Sequence, residues 1–217
     1  MKTKTLMWGL ILVFVCSFSV LLSLGSDIYR EAPPLPERVI TTGGDVVFTY
    51  NDIDQGQMAW RSMGGHQLGS IWGHGSYVAP DWTADWIHKE AQAWLNAAAV
   101  QTYGMPFEDT SASQQAALEQ ELRDDIRPNS YDQESGTITI SPRRAASIRE
   151  VTQHYVSLFG DDEATQQLRE DYAMKNNTLS TVERRENLSA FVFWSAWAAV
   201  TERPDSKYSY THNWPHD

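Results

Sequence analysis

The sequence predicts a mainly α-helical protein: one N-terminal transmembrane helix, then a helical domain carrying two small β-hairpins. Three observations lead there. Residues 5–26, TLMWGLILVFVCSFSVLLSLGS, contain no charge. Several later stretches repeat apolar residues at helical spacing between recognisable start and stop residues. Two β-rich runs are each broken by glycine, at Gly43-Gly44 and at Gly136.

The uncharged run is 22 residues long, which at about 1.5 Å per residue matches the roughly 30 Å hydrocarbon core of a bilayer. Lys2 and Lys4 precede it, and acidic, proline-rich sequence follows. The positive-inside rule then places residues 1–4 in the cytoplasm and exports the remainder. A cleaved signal peptide is the rival reading, with Ser23 and Gly25 before Ser26, but its apolar region is usually only about 7–15 residues. A retained anchor is the expectation. Residues 27–38 form a spacer, stiffened by EAPPLPER, where each proline fixes φ and removes a backbone donor.

The domain proper is expected over residues 39–204. RVITTGGDVVFTY opens it as a hairpin, because Gly43-Gly44 supplies the positive φ of a two-residue turn. A short helix over 52–62 ends at Gly64-Gly65, and a glycine-rich loop runs to Pro80. The next helix spans about Thr83 to Tyr103, with Trp86, Ala93, Trp94, Ala97 and Val100 as its apolar positions and Gly104 as its stop. Residues 111–126 form a polar helix, and SYDQESGTITI a second hairpin. Ser141-Pro142 starts a helix whose face is Ile148, Val151, Tyr155 and Leu158, ending at Gly160. Another covers about 162–173. The last opens on a Ser180/Glu183 capping box and runs to Arg203-Pro204, apolar on most sides and hence central. Residues 205–217 look like a connector toward a further, missing region.

Composition removes several functions. The net charge is −11 and no basic patch lies outside the first few residues, so nucleic acid is excluded as a partner. The single cysteine, Cys16, sits in the apolar run, leaving no disulfide, no cysteine-based zinc site and no covalent haem. Ser70 and Ser76 lie near His66 and His74, but without a G-x-S-x-G elbow or a specified acid they make a poor triad. His66, His74 and His88 lack metal-ligand spacing. Asp124-Asp125 and Asp161-Asp162 read as solvated helix-end charge.

One stretch stands apart. WRSMGGHQLGSIWGHGSYVAPDW, residues 60–82, holds two histidines and five glycines. A helix, a loop with histidine at its end, a G-x-G-x-Y-x-x-P turn and a late aromatic-rich helix follow the order of parts in small cytochrome c domains. GSDIYREAPPLPERV, SMGGHQLGSIWGHGSYVAPDWTADW, SPRRAASIREVTQHYVSLFGDD and FVFWSAWAAVTERPDSKYSYTHNWPHD together resemble the N-terminal segment of the quinol-dependent nitric oxide reductases. In that family a periplasmic cytochrome c-like domain precedes the catalytic membrane region.

The resemblance implies a degenerate cytochrome c-like fold in the bacterial cytoplasmic membrane. Where the related cytochrome c subunit has C-x-x-C-H, this chain has SMGGH: Ser62 and Gly65 stand at the cysteine positions and His66 keeps the histidine. Met174 falls where that subunit has its methionine ligand. Two readings follow: a noncovalent haem between His66 and Met174, or, as the default, a pocket filled by Trp60, Trp72 and Trp82. The resemblance also implies that the turn of Gly73, Gly75 and Tyr77 lies against the catalytic region. There the backbone carbonyls of Gly75 and Tyr77 would help hold a calcium ion, a hard cation suited to oxygen ligands; a plain tight turn is the alternative.

In the family reaction, two NO, two electrons and two protons give N₂O and water. Electrons pass from quinol through haem b to haem b3 and a non-haem iron, all bound in the catalytic region. No catalytic residue is expected in this chain, which alone should not reduce NO. Its expected partners are the bilayer, the catalytic region and, indirectly, quinol; its expected work is to dock on and cap that region. An independent membrane-anchored periplasmic binding protein with a degenerate cytochrome c fold is the alternative.

Overall fold

A computed structural model describes residues 2–73 and 78–212, and the chain divides into two compact units, Met1–Pro34 and Leu35–Asp217. The first is one helix, α1 (Lys2–Glu31). Its mean hydropathy reaches 2.4, and Leu6, Leu12 and Leu22 are exposed along it. It is long and apolar enough to cross a membrane. The helix outruns the uncharged stretch by one further turn and stops before Pro33, because the residue ahead of a proline is pushed out of the helical region.

The second unit contains, among the described residues, β1 (Arg38–Thr41), β2 (Val46–Thr49), α2 (Tyr50–Ser62), α3 (Trp82–Tyr103), α4 (Ala112–Ile126), β3 (Tyr131–Asp132), β4 (Thr137–Ile140), α5 (Pro142–Leu158), α6 (Gln166–Asp171) and α7 (Val182–Val200). The mainly helical expectation holds. The two hairpins form where the glycines place them, but they fuse into one sheet of order β2-β1-β4-β3. The join is a parallel pairing that sets Val39 beside Ile138 and Thr41 beside Ile140. Sequence marks hairpins locally and says nothing of which edges then meet.

The main core of this unit is arranged around α7, whose side chains from Leu188 to Val200 are all buried, and a second cluster joins α3 to α4 through Trp94, Ala98, Leu118 and Leu122. Helix α2 lies so close that a Cβ on Gly56 would fall on the Asn187 carbonyl and 2.8 Å from Phe191 Cβ. The sheet covers another side through Phe48, whose ring is 5.5 Å from that of Phe193. Trp86 of α3 reaches the same ring at 6.3 Å. The expected face of α5 is present, with Ile148, Val151, Tyr155 and Leu158 all buried.

Details of three elements differ from expectation. On α3, Ala98 and Ala99 are buried while Val100 is 55% exposed and Ala97 is exposed as well, since the helix turns its small residues toward α4. The cap of α7 is Thr181, which accepts from Arg184 N, one residue later than Ser180. That helix ends at Val200 because Thr201 is extended and donates its hydroxyl to the Ile126 carbonyl. The expected helix over 162–173 is a 3₁₀ turn, Glu163–Thr165, followed by the short α6. Here the chain curls around the buried Arg169, which donates to the Asp162 and Ser157 carbonyls, Thr165 Oγ1 and Asn176 Oδ1.

A buried ion pair joins α3 to α5. Arg144 Nε donates to Glu90 Oε1 at 2.7 Å, Trp86 Nε1 donates to Glu90 Oε2 at 2.8 Å, and the side chains are 4% and 7% exposed. Both charges are desolvated, so losing one partner strands the other. Glu90→Leu alone should therefore cost about 3–5 kcal/mol, whereas Glu90→Leu with Arg144→Met should recover most of that loss. Chemical denaturation of the two variants beside the parent chain measures both.

Candidate functional site

The glycine-rich stretch leaves α2 through Met63 and a 3₁₀ turn, Gly65–Leu68, and returns at the start of α3. Its two ends are tied together. Ser70 N donates to the Pro80 carbonyl at 3.2 Å and Trp82 N to the Ser70 carbonyl at 2.8 Å. Asp81 then bridges both sides: one carboxylate oxygen accepts from Ser70 Oγ and Gly73 N, each at 2.6 Å. The other accepts from Ala84 N at 2.9 Å, capping α3. Gly69, at φ +113°, has no room for a side chain, since a Cβ there would lie 2.5 Å from the Pro80 carbonyl.

Beyond this neck, Trp72 is held at φ +61°. Its backbone N–H reaches Thr83 Oγ1 at 3.1 Å, and its indole N–H reaches the Ser195 carbonyl of α7 at 2.9 Å. His74, Gly75, Ser76 and Tyr77 lie outside the described residues. The calcium expectation at Gly75 and Tyr77 falls on them.

The remaining expected positions occupy distinct settings. Ser62 Oγ accepts from Arg184 Nη2 at 2.5 Å and donates to the Ala59 carbonyl at 2.7 Å. Gly65 is buried at φ +50°, and a Cβ on it would sit 3.5 Å from Trp60 Nε1. His66 is exposed, its ring edge-on to Trp60 at 6.0 Å. Met174 is buried in the main core, which also contains Trp60 and Trp82. Trp82 donates its indole N–H to the Leu68 carbonyl at 2.6 Å and packs against Phe159, Tyr155 and Tyr172. Trp72 packs on Trp194 at 5.7 Å.

The family profile of the nitric oxide reductase NorB cytochrome c-like domain matches residues 36–216. The chain belongs to that family. No curated protein matches the sequence. The nitric oxide reductase match begins next to the boundary between the two structural units, so the cytochrome c-like domain is the second unit and α1 stands ahead of it.

Sequence reasoning finds the loop of this nitric oxide reductase domain and misses its clasp. Asp81 carries a readable signal, an aspartate just before a helix. Its second task, reaching back to Ser70 and Gly73, depends on two chain segments meeting and has no local signature. Among the described residues no three His, Cys, Asp or Glu side chains are grouped to hold a metal ion; His66 and His88 are exposed and apart in the chain.

A second feature lies between α3 and α5, a cleft of about 510 Å³ lined by Lys89, Asn96, Phe107, Glu150 and His154 among others. His154 Nε2 is buried there without a hydrogen-bond partner. Burial first, and the charge of Lys89 second, hold the imidazole below its ordinary value, with Asp85 opposing them.

Asp81→Ala removes three acceptor contacts, one of them the cap of α3, so unfolding should become easier by about 1–2 kcal/mol, with faster hydrogen exchange at the Gly73 and Ala84 amides. His154 takes up its proton in the unfolded chain before it does so in the folded one. Its neutral, buried form therefore costs nothing above the unfolded value of 6.5, and stability drains away as pH falls below it. Denaturation midpoints compared between about pH 7.5 and pH 5.5 should show that loss, and His154→Gln should make the dependence shallower.

Proposed function

We propose that this chain is the membrane-anchored, haem-free N-terminal domain of a quinol-dependent nitric oxide reductase, docking on and capping the region where 2 NO, 2 electrons and 2 protons become N₂O and water. The observation that carries the reading is the family match over residues 36–216 together with a loop neck that is already built. The Ser70–Asp81–Gly73 contacts fix where the loop leaves the core. A neck already fixed leaves less chain to be ordered on docking.

On this reading α1 spans the bacterial cytoplasmic membrane with Lys2 and Lys4 in the cytoplasm, following the positive-inside rule, and the domain faces the periplasm. Docking uses the glycine-rich turn, with the carbonyls of Gly75 and Tyr77 contributing to a calcium site shared with the catalytic region. Quinol meets the catalytic region, and the domain affects its access only by covering that surface.

The residues of the former attachment loop do not fit a porphyrin. The thioether positions hold Ser62 and Gly65, the first already hydrogen-bonded to Arg184 and the second resting against Trp60. His66 is in solvent while Met174 is inside the core. Trp60 and Trp82, 5% and 0% exposed, take up apolar volume beside them. In this chain those residues act as packing and loop supports.

The test is made in the assembled enzyme. Tyr77→Ala and Gly75→Ala should lower both NO turnover and the haem retained by the catalytic region, and calcium chelation should reproduce the loss in the parent. Unchanged turnover and haem content in both variants would make the docking contact wrong. A periplasmic binding protein with a different partner would then be the better reading.

A further inference from the structure

We infer that residues 201–212 form a rigid strap which clamps the exit of α7 onto the end of α4 and so sets how the domain is mounted on whatever the chain leads to. The structural part stands by itself; its consequence for turnover rests on the function proposed above.

By composition the chain from residue 205 onward reads as a connector. Twelve residues of extended chain could reach about 40 Å at roughly 3.3–3.6 Å each, enough for the domain to wander over a partner's surface. The segment instead folds back. Glu202 N donates to the Arg127 carbonyl and Arg203 N to the Tyr208 carbonyl, both at 2.9 Å, and Glu202 bridges to Ser209 in antiparallel fashion. The Arg127 side chain, at the end of α4, closes the loop so formed by reaching Glu202 Oε1 at 3.3 Å and the Lys207 carbonyl at 3.1 Å.

The far end is held by an aromatic anchor. Tyr210 lies with its ring 5.3 Å from that of Trp197 in α7, and its hydroxyl accepts from Asn129 Nδ2 at 2.9 Å. Thr201 and Ser209 are 0% and 4% exposed, which a freely moving tether would not achieve. Backbone pairing, a charged side chain and a ring tilted against Trp197 thus fix three successive points. The usable length from Val200 to His212 shrinks to the span between fixed ends, and the chain leaves from one place beside α4 and α7. A short, stiff mount keeps a docking surface at high effective concentration over its partner.

The experiment uses the full chain with its catalytic region in membranes. Spin labels at Asp205→Cys and Gln120→Cys, in a Cys16→Ser background, report the distance between strap and α4. One narrow distribution is expected in the parent, broadening in Arg127→Ala with Tyr210→Ala, together with about tenfold faster exchange at the Glu202 and Arg203 amides and a drop in NO turnover of at least fivefold. Arg127→Lys, which retains the charge, should recover part of each. A broad distribution in the parent overturns the strap, and unaltered turnover after its release overturns the mounting role. Tyr210→Phe, which keeps the ring and loses the hydroxyl, controls for general unfolding. Failure of the docking reading is distinguishable, because it appears in the Gly75 and Tyr77 variants, in which the strap is intact.

Discussion

A helix with no polar face has to be covered on every side, and α7 sets that demand for the main core of the second unit. From Leu188 to Val200 it offers solvent nothing to hydrate, so each neighbour must bring apolar surface to it. Gly56 lets α2 approach almost to backbone contact, the sheet brings Phe48, and α3 brings Trp86. At about 25 cal/mol per Å² of apolar area removed from water, enclosing so many large side chains is the main favourable contribution to folding here. Removing any one cover would expose aromatic surface that no other element can reach.

Enclosure of this kind buries polar groups, and the indoles satisfy many of them. Trp72 reaches the Ser195 carbonyl, Trp82 the Leu68 carbonyl, Trp86 the Glu90 carboxylate and Trp94 the Asp125 carboxylate. Each fills volume with its ring; the Trp72, Trp82 and Trp94 N–H groups tie two segments, while that of Trp86 holds a carboxylate one turn along α3. The buried arginines work in a comparable way. Arg169 and Arg185 donate to the Asp162 and Leu179 carbonyls and the Asn177 amide oxygen, in the irregular segments around α6. Arg144 instead meets a carboxylate in the interior, and it does so where α3 and α5 both turn toward α7.

What is legible in the sequence is whatever is encoded over a few neighbouring residues. The uncharged run of α1, the Ser141-Pro142 start of α5, the Gly104 stop of α3 and both glycine hairpins are of this kind, and each is present. The face of α3 escapes such reading because alanines at 97, 98 and 99 are equally apolar and only the position of α4 decides which are buried. The end of α7 escapes it because Thr201 is turned aside by a carbonyl of α4, 75 residues away in the chain. For the loop, residue types identify the stretch, but the Asp81 clasp and the Ser62–Arg184 contact join positions up to 122 residues apart. Spacing along a chain has no means of announcing such pairs.

A domain related to cytochromes but built around indoles changes what its loop can respond to. In a haem protein the attachment loop is shaped by the cofactor, and its geometry follows the metal's ligation. Here the loop neck takes its shape from Asp81, Thr83 and the Ser195 carbonyl, which belong to α3, its cap and α7. Its order is therefore that of the hydrophobic core. The same core fixes the strap through Trp197 and Tyr210. The loop neck and the chain exit are thus both referenced to α7, the one through the Ser195 carbonyl and the other through Trp197.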